Sequence, residues 1–322
     1  MTYTKKKKTY TKAGKEKMAK ERAEKVSKLT GMINVGIESI LDSENFKNLL
    51  KSMSVFHQYS ANNQLLIFMQ RPDATRVAGF QTWKKVNRFV KKGEKGIQIL
   101  RPVTFKKTEE VNEQGVVSPR HNPKKEGEPT LEMDVTYLGG FTTTTVFDIS
   151  QTDGEDLPKL DYDFNGAENV ENFDKLFNAI SDLTTFSVFK ETPETDNVLA
   201  SGAEGYARYA DNRIVINADL QQEGQLKVLI HEVAHSLLHE GSKKSKTAKE
   251  FDAESIAYVV SNYLGIDTNE NSFNYLSMYV GNKDRLKKLE YNLKVIQKTS
   301  HDMIEKLEIA FENKEKEEQR HA

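Results

Sequence analysis

The run LKVLIHEVAHSLLH holds two histidines four positions apart, His231 and His235, with Glu232 directly after the first. On a helix, residues four apart stand one above the other, so both imidazoles can turn a nitrogen toward one tetrahedral Zn²⁺. Neutral imidazoles leave such an ion enough positive charge to lower the pKa of a water toward about 7. Glu232 is then placed to act as general base on that water. The competing explanation is chance. With seven histidines in 322 residues, a match of this kind is expected roughly once in a hundred such sequences. The flanks weigh against chance: Val228, Leu229, Ile230, Val233, Ala234 and Leu237 are apolar or small, which predicts a largely buried helix. A buried His-Glu-His group without a metal or partners would be costly.

A catalytic zinc commonly has three protein ligands and one open position. The following segment, KEFDAESIAYVV, offers Glu250 and Glu254 one helical turn apart, with Phe251, Ile256, Tyr258 and Val259 marking a buried side. One carboxylate would ligate the ion. The other could accept a hydrogen bond from a ligand histidine and fix its tautomer. The residues alone leave open which does which. His239, one turn beyond His235, is a further possible donor, less favoured because it lies two turns from His231. EGSKKSKTA reads as the polar turn joining the two helices.

These helices need a scaffold, and the chain is long enough for about two domains. Its 47 Lys plus Arg and 48 Asp plus Glu nearly cancel, but the charges are segregated. Residues 1–30 carry eleven basic and three acidic side chains, residues 71–107 eleven and two, and residues 151–200 three and twelve. Residues 1–27 lack apolar periodicity and are expected as a disordered or loosely helical basic tail. Apolar residues from Met32 to Leu50 follow helical spacing. A second helix is expected through NNQLLIFMQ, stopped before Pro72. GFQTWKKVNRFV and KGIQILRPVTF read as strands with a glycine-marked turn between them, a hairpin or two-strand unit. Residues 108–130 read as a long surface loop, and MDVTYLGGFTTTTVFDISQT as strand again. Further on, a helix over NVENFDKLFNAISDL, strands at FSVFKE and YARYADNRIVINAD, and a final long helix carrying Leu286, Leu289, Leu293, Ile296, Ile304 and Leu307 are expected.

The reading is an α+β protein in which a small α+β domain precedes a mostly helical domain with a small sheet. The boundaries are a tail at 1–27, a first domain at 28–150, an acidic linker at 151–166, a second domain at 167–312 and a charged tail at 313–322. The absence of cysteine excludes disulfides, thiolate metal sites and a cysteine nucleophile, and points to the cytoplasm. The lysine-rich start is not followed by the apolar stretch of a signal peptide, and no run approaches the roughly 18 apolar residues of a membrane span.

The block after residue 58 suggests a polyanion partner. Arg71, Arg76, Lys84, Lys85, Arg88, Lys91, Lys92, Lys95 and Arg101 give a dense positive field, with Tyr59 and Trp83 among them, and with Phe80 and Phe89 expected more as core than as platforms. Phosphates attract the cations, and unstacked bases stack on aromatic faces at roughly 1–3 kcal/mol per contact. Asn62, Asn63 and Gln64 add amides that could bond a base edge.

HEVAH followed by EFDAE resembles the zincin metallopeptidases of the glutamate-ligand type. That resemblance implies Glu250 as ligand and Glu254 as support for a histidine, although those proteins often have Asp at the second place. YSANNQLLIFMQRPDATRVAGFQTWKKVNRFVKKGEKGIQILRPV is similar to the N-terminal domain of ArdC-like antirestriction proteins. In that family a single-stranded DNA-binding domain precedes a zincin-type metallopeptidase domain of ImmA/IrrE kind. The resemblance implies single-stranded DNA as partner, a peptide or protein substrate, zinc as cofactor, no membrane, and protection of incoming mobile-element DNA from restriction. Two other functions fit the same residues: a DNA-binding protein whose zincin domain is purely structural, and a regulatory protease that cleaves a repressor.

Overall fold

The computed structural model describes residues 11–111, 131–157, 170–266, 268, 273–279 and 283–321. It is a mixed α+β protein: small sheets in the N-terminal part, a largely helical C-terminal region with a small mixed sheet. The chain divides into two compact units, residues 1–31 with 98–145, and residues 32–97 with 146–322.

In the first unit, most of helix α1 (Lys12–Ser39) accompanies strands β3 (Ile97–Val111) and β4 (Leu131–Asp148), which are hydrogen-bonded neighbours. Arg22 Nε donates to the Phe141 carbonyl at 3.0 Å, and Phe105 stacks on Tyr137 with ring centroids 5.7 Å apart. The basic segment expected as a tail is therefore helical from Lys12. Its first ten residues lie outside the described residues, as do residues 112–130 of the expected loop, whose opening residues 108–111 belong to β3.

The second unit begins with the end of α1 and two further helices, α2 (Ser43–Val55) and α3 (Ala61–Gln70). The single helix expected over 32–50 is two, because Asp42 caps a new one by accepting from the N–H groups of Glu44 and Asn45, a strong local start signal. After β1 (Val77–Gly79), the expected strand FQTWKK is instead the short helix α4 (Phe80–Lys85). Strand β2 (Arg88–Val90) pairs antiparallel with β5 (Thr152–Gly154), not with β3, while β1 pairs with the last residues of β4. The expected hairpin across residues 91–96 is thus absent. The segment expected as an acidic linker opens on the buried Gln151 and then on Thr152, the buried first residue of β5; residues 158–169 lie outside the described residues.

The rest supplies the site. Helix α5 (Val170–Ser181) precedes a three-stranded sheet of order β6-β8-β7, made of β6 (Ser187–Glu191), β7 (Gly205–Arg208) and β8 (Arg213–Asn217), with the four-residue helix α6 (Asn197–Ala200) between β6 and β7. β8 runs parallel to β6 and antiparallel to β7. The turn expected at Asp211-Asn212 is present, with Asn212 at φ 51°, a left-handed conformation that asparagine tolerates. Helices α7 (Gln222–Leu238) and α8 (Lys246–Tyr263) pack on each other, and α8 also meets α2 and α9 (Lys283–His321). Phe251 of α8 stacks on Phe46 of α2 at 5.3 Å. α9 buries Leu289, Leu293, Ile296, Met303, Ile304 and Leu307 along one stripe, and continues as helix to His321 through the residues expected as a charged tail. Among the described residues, no helix is long and apolar enough to cross a membrane.

Candidate metal centre

α7 is positioned from both sides. It packs against β7 and β8 of the sheet and against α8 and α5. Leu226, Leu229, Ile230, Val233 and Ala234 are fully buried, so rotation about the helix axis is fixed by packing. That leaves His231 and His235 half-buried on one face. Ser245 caps α8 by accepting from the Ala248 N–H, and α8 turns Glu250 and Glu254 toward the histidines.

The Nε2 atoms of His231 and His235 lie 3.0 Å apart, and Glu250 Oε2 lies 3.5 Å from each. A tetrahedral ion about 2.0–2.1 Å from each donor would set donor spacings of about 3.3 Å. The three residues therefore form a candidate divalent metal site. On its other nitrogen, His231 Nδ1 lies 3.6 Å from Glu254 Oε2. Glu250 and Glu254 thus face different nitrogens of the same ring.

The electrostatics follow from burial. The Glu232 carboxyl is pushed up first by burial, against the opposing pull of His231 and His235 and a hydrogen bond from the Ala207 N–H of β7. Burial alone would lower the His231 pKa, but the bond to Glu250 and the charges of Glu232 and Glu254 raise it. Glu250 is held far below the ordinary carboxylate range by hydrogen bonds from His231 and His235. Tyr209, at the end of β7, donates its hydroxyl to the His235 carbonyl at 3.0 Å. It is pushed up to about 12 by burial and by Glu232, Glu240 and Glu250.

His239 does not point at the three converging atoms. Its Nδ1 lies 2.9 Å from His235 Nδ1, on the far side of that ring, and its Nε2 lies 3.5 Å from Asp252 Oδ2. Asp252 is fully buried between Glu250 and Glu254 in sequence. In the sequence it is distinguished only as a third acidic residue within EFDAE. Nothing in the sequence singles out Tyr209.

The residues singled out for a nucleic acid are sorted differently. Trp83 is 2% exposed, with its indole N–H donated to the Phe147 carbonyl at 2.9 Å. Arg88 is buried and bonds Thr152 and the Gly154 carbonyl. Gln64 is buried and donates to the Phe56 carbonyl. Tyr59 is half-buried and donates to the Val77 carbonyl. Each of the four gives at least one donor to main chain or a neighbour that the sequence does not reveal, and so ties elements of the fold together. Asn62, Asn63 and Arg76 are half-buried, and Arg71 bonds Ser150 Oγ at 3.2 Å. Lys84, Lys85, Lys91, Lys92, Lys95 and Arg101 are exposed. So are Phe80 and Phe89, at 50% and 55%, contrary to their expected place in the core.

Comparison with known proteins finds two matching regions. Residues 36–147 match the N-terminal domain of anti-restriction factor ArdC, and residues 190–264 match the IrrE N-terminal-like domain, a peptidase family. An uncharacterized protein of Bacillus anthracis is 31% identical over 94% of the chain; the chain spans about half, 54%, of that relative's length. Among solved structures, the antirestriction ArdC protein from the R388 plasmid is similar in its metal-free form, at 17% identity and TM-score 0.44, over 79% of this chain and 85% of that one. Its Mn(II)-bound form gives 16% and 0.42, over 79% and 88%. The chain thus carries a region similar to the N-terminal domain of anti-restriction factor ArdC, followed by a region similar to the IrrE N-terminal-like domain.

Proposed function

We propose that the protein is a zinc-dependent metallopeptidase joined to a single-stranded DNA-binding domain, and that it protects incoming mobile-element DNA from restriction. The observation that carries the peptidase reading is the convergence of His231 Nε2, His235 Nε2 and Glu250 Oε2 beside the buried Glu232. Two imidazoles and one carboxylate suit zinc by ligand type. A zinc ion held there would supply Lewis acidity, polarising a peptide carbonyl and lowering the pKa of water. Glu232 supplies the proton transfer: it takes a proton from the attacking water and delivers it to the leaving amine. Its raised pKa brings it closer to the value at which it can do both. Glu254 holds His231 by its second nitrogen.

The DNA reading is supported by the ArdC domain match and by the exposed Lys84, Lys85, Lys91, Lys92, Lys95 and Arg101. The exposed Phe80 and Phe89, rather than the buried Trp83, offer faces on which bases could stack. Tyr59, Gln64, Trp83 and Arg88 serve the fold, and Asn62, Asn63, Arg71 and Arg76 are partly available.

One set of variants tests both halves. His231→Ala is expected to abolish metal binding, and Glu232→Gln to keep the ion and lose peptide cleavage; zinc stoichiometry unchanged in His231→Ala would sink the site. Affinity for single-stranded oligonucleotides should fall steeply with salt, and a flat response removes the DNA half. If DNA protection persists in Glu232→Gln, protection does not run through proteolysis.

A further inference from the structure

The contact between His235 and His239 lies outside the three converging donor atoms. For His235 to offer Nε2 as a lone-pair donor, its proton must sit on Nδ1. That N–H then needs an acceptor, and the atom 2.9 Å away is His239 Nδ1. His239 must in turn carry its proton on Nε2, which lies 3.5 Å from Asp252 Oδ2. Lys244, in the connection between α7 and α8, forms a short ion pair with the same oxygen. Each step fixes the next in one direction.

Ordinary packing gives no reason for this arrangement. His239 is 1% exposed and Asp252 is fully buried, with Oδ1 lacking a hydrogen-bond partner. A buried carboxylate with one oxygen unpaired costs stability, and an apolar pair would fill the same space at lower cost.

We propose that His239 and Asp252 are positioning residues for the metal centre: a chain from Asp252 through His239 sets the tautomer and ring orientation of His235 and strengthens its Nε2 as a ligand. The inference rests on the metal reading above. It gives the two ligand histidines separate supports, Glu254 for His231 and the His239–Asp252 chain for His235. Partners of this kind are typically worth about 10–100-fold in metal affinity.

The test is zinc affinity of the full chain by chelator competition, alongside melting of the metal-free protein. His239→Leu and Asp252→Asn are each expected to weaken zinc binding about 10–100-fold. The double variant should lose little beyond the larger single loss, because both act through one ring. His239→Asn, which keeps an acceptor, should recover part of the loss. A purely structural role would lower the melting temperature and leave zinc affinity of the folded variant unchanged. Nitrogen-15 NMR of the zinc-loaded wild type should show His235 protonated on Nδ1 and His239 on Nε2, a readout that stands even if His239→Leu fails to fold. Wild-type affinity in a folded His239→Leu variant, or a proton on His239 Nδ1, overturns the chain alone. A wild-type protein that binds neither zinc nor manganese removes the metal reading and the chain with it.

Discussion

One helical turn puts Glu250 and Glu254 at different nitrogens of His231. Glu250 Oε2 reaches both Nε2 atoms, whereas Glu254 faces only His231 Nδ1. Glu250→Gln is therefore expected to weaken zinc binding more than Glu254→Gln, whose loss should fall in the roughly 10–100-fold range of a supporting partner. Calorimetric titration of both variants checks the order, and equal losses would mean that the two carboxylates share the ion. The pair was legible in EFDAE because periodicity places them on one face. The roles of the aromatics were not: whether Trp83 or Phe80 is inside depends on Phe147, 64 positions beyond Trp83, whose carbonyl takes the indole N–H.

At the scale of elements, the fit of β7 on α7 sets how closely Ala207 approaches Glu232. Gly205 allows that fit: a Cβ there would lie 2.4 Å from Val228 Cγ1 and 2.9 Å from the Val215 carbonyl. Gly205→Ala is expected to destabilise by about 1–3 kcal/mol, as overpacking does, measured by denaturant unfolding. Adding Val228→Ala should restore only part, because the Val215 carbonyl is main chain and stays in place. Full stability in Gly205→Ala would show that β7 slides freely. The helical FQTWKK has its cause at the same scale. Its aromatic and β-branched content favours a strand, but propensity is a weak prior, and burial of Trp83 beneath a single helical turn prevails.

For the whole molecule, matched domains and compact units do not coincide. Residues 36–147 match one domain, yet residues 32–97 share a compact unit with the metal-site helices, while residues 98–145 do not. His57, just after α2, is part of this union: its Nδ1 lies 3.2 Å from His301 Nδ1, its Nε2 lies 3.7 Å from Glu308, and Gln297 donates to its carbonyl. Burial lowers the His57 pKa, helped by His301 and opposed by Glu308 and Glu305. A folded pKa below the unfolded value of about 6.5 means that the unfolded chain binds the proton more readily. The contribution is then complete above that pH and is lost as pH falls through the folded value. Melting temperature should drop between pH 7.5 and 5.5, and His57→Asn should shrink the drop; an identical drop in that variant would assign it elsewhere.

The sequence by itself determined what is local: the helices of the HExxH run and of EFDAE, the faces their spacing creates, the third ligand candidate, and the absence of thiol chemistry. Such features depend on residues within one or two helical turns of each other, and backbone periodicity transmits them directly. Only the tertiary structure decided which strand pairs with β2, which aromatics face solvent, and that His239 turns from the three converging atoms toward Asp252. Each of those outcomes rests on a hydrogen bond or a packed side chain supplied from elsewhere in the chain, and no local pattern records which distant group will arrive.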